Sequence, residues 1–266
     1  MTTKCRTGWT TVKRRSEPRW SSFGAGARWI ARNVTPPIVV RLMRRLRKAG
    51  RPTRTALGGL DDLVEPYIDT VHGYYVELGA NDGITQSNTY WLERERGWSG
   101  LLIEPALNRY FELRRNRSPK NSFACAACVP FDYTDKFVLL RYSNLMTVAP
   151  DIGGDLPNVE AHLAAGERFL RPHEECVSFG AIARTLQSLL EDAGAPAVID
   201  LLSLDVEGAE LPVLRGIDHS RTRFRLLLVE SREIAPVQQF LAAHGYSLEA
   251  RLTHHDFLFT CDDDAR

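Results

Sequence analysis

The feature that most constrains the fold is a set of apolar runs of strand length, each with a carboxylate at its end. Glu77, Glu104, Asp205 and Glu230 stand at these ends, in runs that cover 73–80, 100–105, 198–208 and 223–231. Helix-type patterns separate the runs, which predicts an α/β sheet with helical crossovers. Ligands of such sheets bind beyond the carboxyl ends of the strands. We therefore expect the four carboxylates to meet at one edge of the sheet, at a ligand site.

The remaining pattern predicts further elements and one long irregular connection. We expect a third strand over 122–129, an extra strand over 136–142, a helix over 180–194 and a closing antiparallel hairpin over 246–261. Residues 143–176 show no regular period and contain Gly153-Gly154, Pro157 and Pro172. Because a connection of this length in a compact domain is usually functional or disordered, we expect it to cover the ligand site.

The loop after the first run, ELGANDG, carries acids but no base. A dinucleotide loop has the spacing G-x-G-x-x-G, which brings a pyrophosphate to a helix N-terminus; Gly79 and Gly83 are spaced differently, and Glu77 and Asp82 disfavour phosphates. S-adenosylmethionine (SAM) fits such a loop better, because it carries a sulfonium and no phosphate. Gly79 would permit close backbone approach, and Glu104 would accept hydrogen bonds from both ribose hydroxyls.

Two stretches carry a family resemblance. YYVELGANDGITQSNTYWLERERGWSGLLIEP (74–105) and IDLLSLDVEGAELPVLRGID (199–218) resemble the FkbM family of SAM-dependent methyltransferases. The resemblance extends from about Gly73 to Cys261. It implies a class I methyltransferase fold, a Rossmann-like α/β architecture whose seven-stranded sheet is mostly parallel and ends in a C-terminal antiparallel hairpin. It also implies O-methylation, often of a sugar or a polyketide-type hydroxyl.

The resemblance implies roles for individual residues of the cofactor site. Glu77, Gly79, Asn81 and Gly83 would line the methionine part of SAM, and Glu104 would hold the ribose. The full set expected to bind the cofactor is Glu77, Gly79, Ala80, Asn81, Asp82, Gly83, Asn88, Glu104 and Asp205. The acid or amide expected near the adenine is not evident after the third strand, where the sequence is Ala127-Cys128-Val129-Pro130.

Three carboxylates are candidates for catalysis. Methyl transfer to an alcohol requires a group that takes its proton, and Asp205, Glu207 and Glu230 stand where such a base is expected. The same three residues could hold a divalent cation such as Mg²⁺, which prefers oxygen ligands. Alternatively, Glu207 and Glu210 cap the following helix, since acids favour helix N-termini. His173, in the irregular connection, is an alternative base.

Charge divides the chain into a basic and an acidic part. The formal net charge is +1, yet residues 1–60 contain fifteen Lys or Arg and one acid. We predict a basic extension over 1–60 and a methyltransferase domain over 61–266. In the stretch 28–48, Pro36-Pro37 begins an amphipathic helix. One interpretation is that its Arg-rich face makes peripheral contact with an anionic membrane. The alternative is that its apolar face packs on the domain or on a partner, and the Arg-rich face lies in solvent.

The cysteines and the apolar runs indicate the cellular compartment. The five cysteines are scattered and odd in number, which fits a reduced cytosolic protein, and Cys125 and Cys128 fit buried structural thiols. We find no apolar run of about 18 residues and no secretory signal. We therefore expect a cytoplasmic protein, or one bound peripherally at the inner membrane face.

The sequence thus predicts a SAM-dependent O-methyltransferase acting on a hydroxyl of a saccharide, glycolipid or polyketide-type metabolite, with a lipid-linked saccharide as one candidate. The alternative is a SAM-fold scaffold that binds a membrane or a biosynthetic complex through its basic helix. The glycine spacing disfavours a dehydrogenase. Specific nucleic-acid methylation is disfavoured because the fold region has no Asn-Pro-Pro-Tyr-like motif.

Overall fold

A seven-stranded sheet forms the centre of the structure. The computed structural model describes residues 53–154 and 156–261. Their strands are β1 (Tyr74–Leu78), β2 (Ser99–Ile103), β3 (Ser122–Ala124), β4 (Ala127–Cys128), β5 (Phe137–Arg141), β6 (Ser178–Arg184), β7 (Val198–Leu204), β8 (Arg223–Glu230), β9 (Tyr246–Arg251) and β10 (Asp256–Cys261). The order in the main sheet is β3-β2-β1-β7-β8-β10-β9. Pairing is parallel from β3 to β8, whereas β10 runs antiparallel to both of its neighbours. The predicted sheet and its C-terminal hairpin are confirmed.

The same residues form seven α-helices. They are α1 (Leu60–Val64), α2 (Tyr90–Glu95), α3 (Leu107–Asn116), α4 (Val159–Gly166), α5 (Leu186–Asp192), α6 (Glu210–Leu214) and α7 (Ile234–Ala243). Among the helices of the described ranges, none combines the length and the apolar character needed to span a bilayer.

Both faces of the main sheet are buried, which explains why its strands are continuous apolar runs. Successive residues of β7 alternate between two hydrophobic cores: Leu202 and Leu204 belong to one, and Leu201 belongs to the other. Strand β8 alternates in the same way, with Leu227 in the first core and Leu228 in the second. The two cores fix the register of the strands, so the ends of β1, β2, β7 and β8 are held together.

A second, three-stranded sheet corrects two predictions. Residues 122–129 are not one strand, because β3 joins the main sheet and β4 joins the small sheet of order β4-β6-β5. The predicted helix over 180–194 is wrong in its first part, where 178–184 form β6 and pair with β5. The helix begins only after Thr185, whose side chain accepts a hydrogen bond from the Ser188 N–H. Pairing with β5 outweighs the helical propensity of the alanines in GAIAR.

Residues 143–176, here called the cover segment, connect β5, an outer strand of the small sheet, to its central strand β6. They contain the 3₁₀ turns Asn144–Met146, Pro150–Ile152 and Glu167–Phe169, besides α4, which Asn158 caps by accepting from the Ala161 N–H. Gly154 lies against the loop after β7, since a Cβ at this position would be 2.6 Å from the Gly208 carbonyl oxygen. The cover segment is therefore in backbone contact with the edge of the main sheet.

The N-terminal prediction falls largely outside the described residues. The predicted helix in 28–48 lies there, and the division of the chain at residue 60 stays a prediction. Of the predicted extension, residues 53–60 belong to the described part. Arg54 pairs with Asp62 at 2.8 Å and with Glu95 at 3.0 Å, and Leu60 is buried in the core.

Arg117 is a fully buried cation at the end of α3, and it ties three elements together. Its guanidinium donates to Glu93 of α2 at 2.8 Å, to Glu77 of β1 at 3.1 Å and to the Tyr75 hydroxyl at 2.6 Å. It also donates to Thr89 Oγ1 at 2.9 Å. Burial lowers the pKa of Arg117, but Tyr75, Glu77 and Glu93 outweigh that effect and raise it, so the side chain stays charged.

Replacement of Arg117 by Met should strongly destabilise the fold, because it leaves the Glu77 and Glu93 carboxylates buried without their cation. We expect the free energy of unfolding to fall by roughly 3–5 kcal/mol, measured by urea denaturation. The control is Arg115→Met, on the exposed side of α3, which should change it by less than about 0.5 kcal/mol. Equal effects of the two substitutions would contradict the assigned role of Arg117.

Candidate active site

A cavity of about 450 Å³ lies beyond the carboxyl ends of β1, β2, β7 and β8. Its size is within the range of small-molecule sites. Glu104, Asp205 and Glu230 all line it, as do the predicted residues Gly79, Asn81 and Glu207. The predicted residues that do not line it are Glu77, Ala80, Asp82, Gly83 and Asn88. Three of the four strand-end carboxylates therefore meet at one site, and Glu77 is used elsewhere.

Gly79 occupies the narrowest contact of the site. It has φ +73°, and a Cβ at this position would be 2.0 Å from the Asp205 carbonyl oxygen. Only glycine adopts this conformation readily and leaves room for that contact. The loop after β1 and the loop after β7 therefore meet backbone to backbone, which leaves the cavity wall here without a side chain.

Glu104, at the end of β2, connects that strand to the loop after β1. Its carboxylate accepts from the Asn81 N–H and the Ala106 N–H, each at 2.8 Å. Burial raises the pKa of Glu104 to about 7, although these two hydrogen bonds act to lower it. A buried carboxyl group that titrates near neutrality and faces a cavity is typical of a functional site.

The carboxylate of Glu77 is directed into the protein, where it holds neighbouring segments together. Its carboxylate accepts from the Ser87 hydroxyl at 2.8 Å, the Asn88 N–H at 3.1 Å and the Thr89 hydroxyl at 2.6 Å, and it pairs with Arg117. These contacts hold the chain from Ser87 to Thr89 against β1. Cofactor contact by Glu77 stays a prediction, and the geometry favours a role in shaping the loop.

The other predicted loop residues also hold the loop together. Asp82 accepts from the Thr85 N–H at 2.7 Å and from the Thr85 hydroxyl at 2.9 Å. Gly83 has a left-handed φ of +79°. Asn88 donates to the Ser203 hydroxyl at 3.2 Å, which ties the loop to β7. Ala80, which is buried, donates its N–H to the Ile103 carbonyl at 3.1 Å.

Asp205 and Glu230 form a hydrogen-bonded carboxyl pair in the cavity. Burial raises the pKa of Asp205 well above its usual range, and the neighbouring charge of Glu230 raises it further. Burial likewise raises the pKa of Glu230. Two buried carboxyl groups this close cannot both ionise at little cost, so they share a proton. The remaining carboxylate can accept a proton from a bound hydroxyl.

Glu207 adopts φ +54°, which is unusual for a residue other than glycine. Its carboxylate accepts from the Arg232 guanidinium at 2.7 Å, and burial raises its pKa even though Arg232 acts to lower it. Glu210 holds the loop before the helix, since its carboxylate accepts from the Val206 and Gly208 N–H groups. Neither Glu207 nor Glu210 makes a side-chain cap to this helix, so the capping alternative is wrong, and Glu207 lines the cavity.

The metal prediction is not supported. Among residues 53–154 and 156–261 there is no group of three or more His, Cys, Asp or Glu side chains arranged to hold a metal ion. Asp205, Glu207 and Glu230 do line one cavity, but Glu207 is turned to Arg232, and Asp205 and Glu230 are hydrogen-bonded to each other.

An apolar wall lies where the sequence shows no residue for adenine. Ala126, Ala127 and Cys128 line the cavity after β3. Cys128 is buried as predicted, and burial raises its pKa to about 12. The cover segment adds Met146 and Phe169, among others, to the opposite part of the lining. The small side chains after β3 leave space for a flat ring.

Sequence reasoning missed four residues of the site: Asn144, His162, Arg117 and Arg232. His162 is buried, and its Nε2 lies 3.3 Å from Glu207 Oε2 but has no hydrogen-bond partner in the described structure. Asn144 and Arg232 line the cavity. No spacing or motif singles out any of the four, because their positions depend on contacts between segments distant in sequence. The alternative base His173 lies outside the lining of this cavity.

Comparisons with known proteins found one matching family and several similar solved structures. The Methyltransferase FkbM domain matches residues 77–248, and no curated protein matches the chain. The METTL16 MTase domain matches with 12% identity and a TM-score of 0.39, over 77% of this chain and 65% of that one. A candidate O-methyltransferase from Klebsiella pneumoniae matches with 15% identity and a TM-score of 0.39, over 90% of this chain and 97% of that one. The N-terminal domain of human METTL16 in complex with SAH matches with 12% identity and a TM-score of 0.37, over 77% of this chain and 67% of that one.

The chain spans about two thirds of the METTL16 domain, 65% of its length. The FkbM match covers more than half of the 266 residues and includes both the loop after β1 and the acidic loop after β7. The sheet order and the cavity at its carboxyl edge agree with the fold of SAM-dependent methyltransferases. The chain therefore belongs to the FkbM methyltransferase family.

Proposed function

We propose that the cavity binds SAM and that the protein is an O-methyltransferase acting on a hydroxyl of a saccharide, glycolipid or polyketide-type metabolite. One observation carries the proposal: the hydrogen-bonded carboxyl pair of Asp205 and Glu230 lines the same cavity as Gly79 and Glu104. A proton acceptor and a cofactor-type loop thus share one site.

The residues present fit SAM. Glu104 has free lone pairs for two ribose hydroxyls, because each of its oxygens accepts only one backbone hydrogen bond. Gly79 leaves the wall open where the methionine part would lie, and Ala126 and Ala127 leave room for the adenine ring. When bound, SAM supplies a methyl group that its sulfonium has already activated for displacement.

The carboxyl pair supports transfer to oxygen. An alcohol must lose its proton as its oxygen bonds to the methyl carbon, and a positioned carboxylate can accept that proton. With one proton on the pair, one carboxylate stays charged, and burial, which raises the pKa of both groups, makes it a stronger base than an exposed carboxylate. Positioning of the acceptor contributes as well, and the cavity walls from the cover segment would provide it.

Substitution of Glu230 by Gln should break the carboxyl pair and weaken Asp205 as a base, because the neighbouring charge that raises the pKa of Asp205 is lost, while the cofactor part of the cavity stays intact. We expect methyl transfer to fall by about 10²- to 10⁴-fold and the affinity for S-adenosylhomocysteine (SAH) to change little. The measurement follows labelled methyl groups from SAM into cell glycolipid extracts and tests whether the product resists alkali, as a methyl ether does. Glu233→Gln, three residues after the end of β8 and outside the cavity lining, is the control.

Several outcomes would contradict the proposal. A product that alkali cleaves would indicate methyl esters rather than methyl ethers. Full activity of Glu230→Gln would show that the carboxyl pair does not take part in methyl transfer. SAH binding without product across broad acceptor extracts would instead favour the scaffold alternative.

The affinity for SAH should depend on pH through Glu104. Its ionised form accepts hydrogen bonds from the ribose hydroxyls, and its pKa is raised to about 7. At pH 6 most protein molecules hold Glu104 protonated, and each must release that proton when SAH binds. We expect the dissociation constant to be about tenfold higher at pH 6 than at pH 8, measured by calorimetry. Glu104→Gln should bind more weakly and show a flatter profile; an equal pH dependence in both proteins would exclude Glu104 as its source.

Peripheral contact of residues 28–48 with anionic membrane is a proposal that rests on their sequence. Basic residues near such a surface contribute about 1 kcal/mol each. The full chain should therefore float with phosphatidylserine-containing vesicles, and a chain without residues 1–50 should not. SAH binding by both proteins controls for folding, and unchanged flotation would reject membrane contact through this segment.

A further inference from the structure

Asn144 is a buried residue of the cover segment that lines the cavity close to the loop after β1. It is 8% exposed and has φ +55°, in the left-handed region that asparagine tolerates better than most residues. The Thr147 hydroxyl donates to its carbonyl oxygen at 2.8 Å and closes the turn. Its side chain contacts both the cover segment and Asn81.

The surroundings of Asn144 determine which way its side-chain amide faces. Its Nδ2 is 2.9 Å from the Phe169 carbonyl oxygen and 3.0 Å from Glu174 Oε2, and both of these groups accept hydrogen bonds. Burial acts to raise the pKa of Glu174, but the Arg171 N–H and the charge of Arg109 lower it below its usual range. Glu174 is thus a carboxylate, and the NH₂ group of Asn144 must face it.

This orientation fixes the amide of Asn81 in turn. The Oδ1 of Asn144 faces Asn81 and accepts from its Nδ2 at 3.1 Å. The Oδ1 of Asn81 accepts from the Asp82 N–H at 2.8 Å, and its own main-chain N–H donates to Glu104. The second amide hydrogen of Asn81 has no acceptor within the described ranges. Because Asn81 lines the cavity, that hydrogen is available to a ligand.

A hydrogen-bond donor held in one orientation suits an anionic oxygen, since hydrogen bonds to a charged group are the stronger ones. Of the chemical groups in the cofactor, only the carboxylate of the amino-acid tail has this character. Gly79, two residues before Asn81, leaves the wall open for the same tail.

We propose that Asn144 is a positioning residue, which holds the Asn81 amide as a donor to the carboxylate of the cofactor's amino-acid tail. The inference rests on the proposed function, because it assumes that the cavity binds SAM. Asn144 also links the cover segment to the cofactor. Its hydrogen bonds to Phe169 and Glu174 orient the amide that accepts from Asn81, so the hydrogen bonds support one another.

Two ligands test the proposal directly. SAH contains the amino-acid tail, whereas 5′-methylthioadenosine shares the adenosine and the sulfur but lacks the carboxylate. Asn144→Gly removes the side chain and tolerates the left-handed backbone. By calorimetry it should lower the affinity for SAH at least about tenfold and change the affinity for methylthioadenosine less than about twofold.

Asn144→Asp is the second variant. It keeps the shape of the side chain but cannot donate to Phe169 and Glu174, so we expect the same selective loss of SAH affinity. Glu167→Gln is the control, because its exposed side chain lies in the same segment and outside the cavity lining. It should leave the ratio of the two affinities unchanged.

The outcomes separate the two proposals. If the unaltered protein binds neither SAH nor methylthioadenosine, the proposed function fails. If it binds both and Asn144→Gly weakens both by the same factor, or weakens neither, the cofactor site stands and the role of Asn144 is overturned.

Discussion

The arrangement of the site depends on one buried cation. Removing a guanidinium and two carboxylates from water costs several kcal/mol per ion, and close pairing together with further hydrogen bonds offsets that cost. Arg117 meets these conditions with Glu77, Glu93 and the hydroxyls of Tyr75 and Thr89. Its partners come from β1, the loop after it and α2, so the loop has one arrangement in which every charge is satisfied. The cavity wall at Gly79 and Asn81 follows from that arrangement.

The carboxylates at the edge of the sheet have different surroundings. Glu77 is neutralised by a cation, Glu104 has only backbone donors, and Asp205 has another carboxyl group as its neighbour. These differences suit Glu104 to accept hydrogen bonds and the Asp205–Glu230 pair to accept a proton, the roles proposed above. The residue type alone does not distinguish these roles.

Much of the fold could be predicted from the sequence, because strands buried on both faces appear as apolar runs and end in polar residues. The sheet around β1, β2, β7 and β8 was predictable for this reason. Strand β6 was not, since it lies in the small sheet and its burial shows only a weak alternation in SFGAIAR.

The site was predictable where a motif lies at a strand end, as for Gly79, Glu104 and Asp205. Glu77 shows the limit of that reasoning: an acid in a cofactor-type loop can be directed into the protein when a distant Arg117 reaches it. Asn144 and Arg232 contribute through contacts between segments far apart in sequence, and a single sequence does not display such contacts.

The contact between Gly154 and Gly208 has a consequence for how the shape of the cavity can change during evolution. The cover segment is attached there through backbone atoms, with no space for a Cβ, whereas Leu145, Met146 and Phe169 contribute side chains to the wall. Substitutions at these three positions alter the shape of the wall without moving its attachment. Related chains can therefore differ in the shape of this wall on an unchanged backbone, whereas a side chain at position 154 would collide with the Gly208 carbonyl.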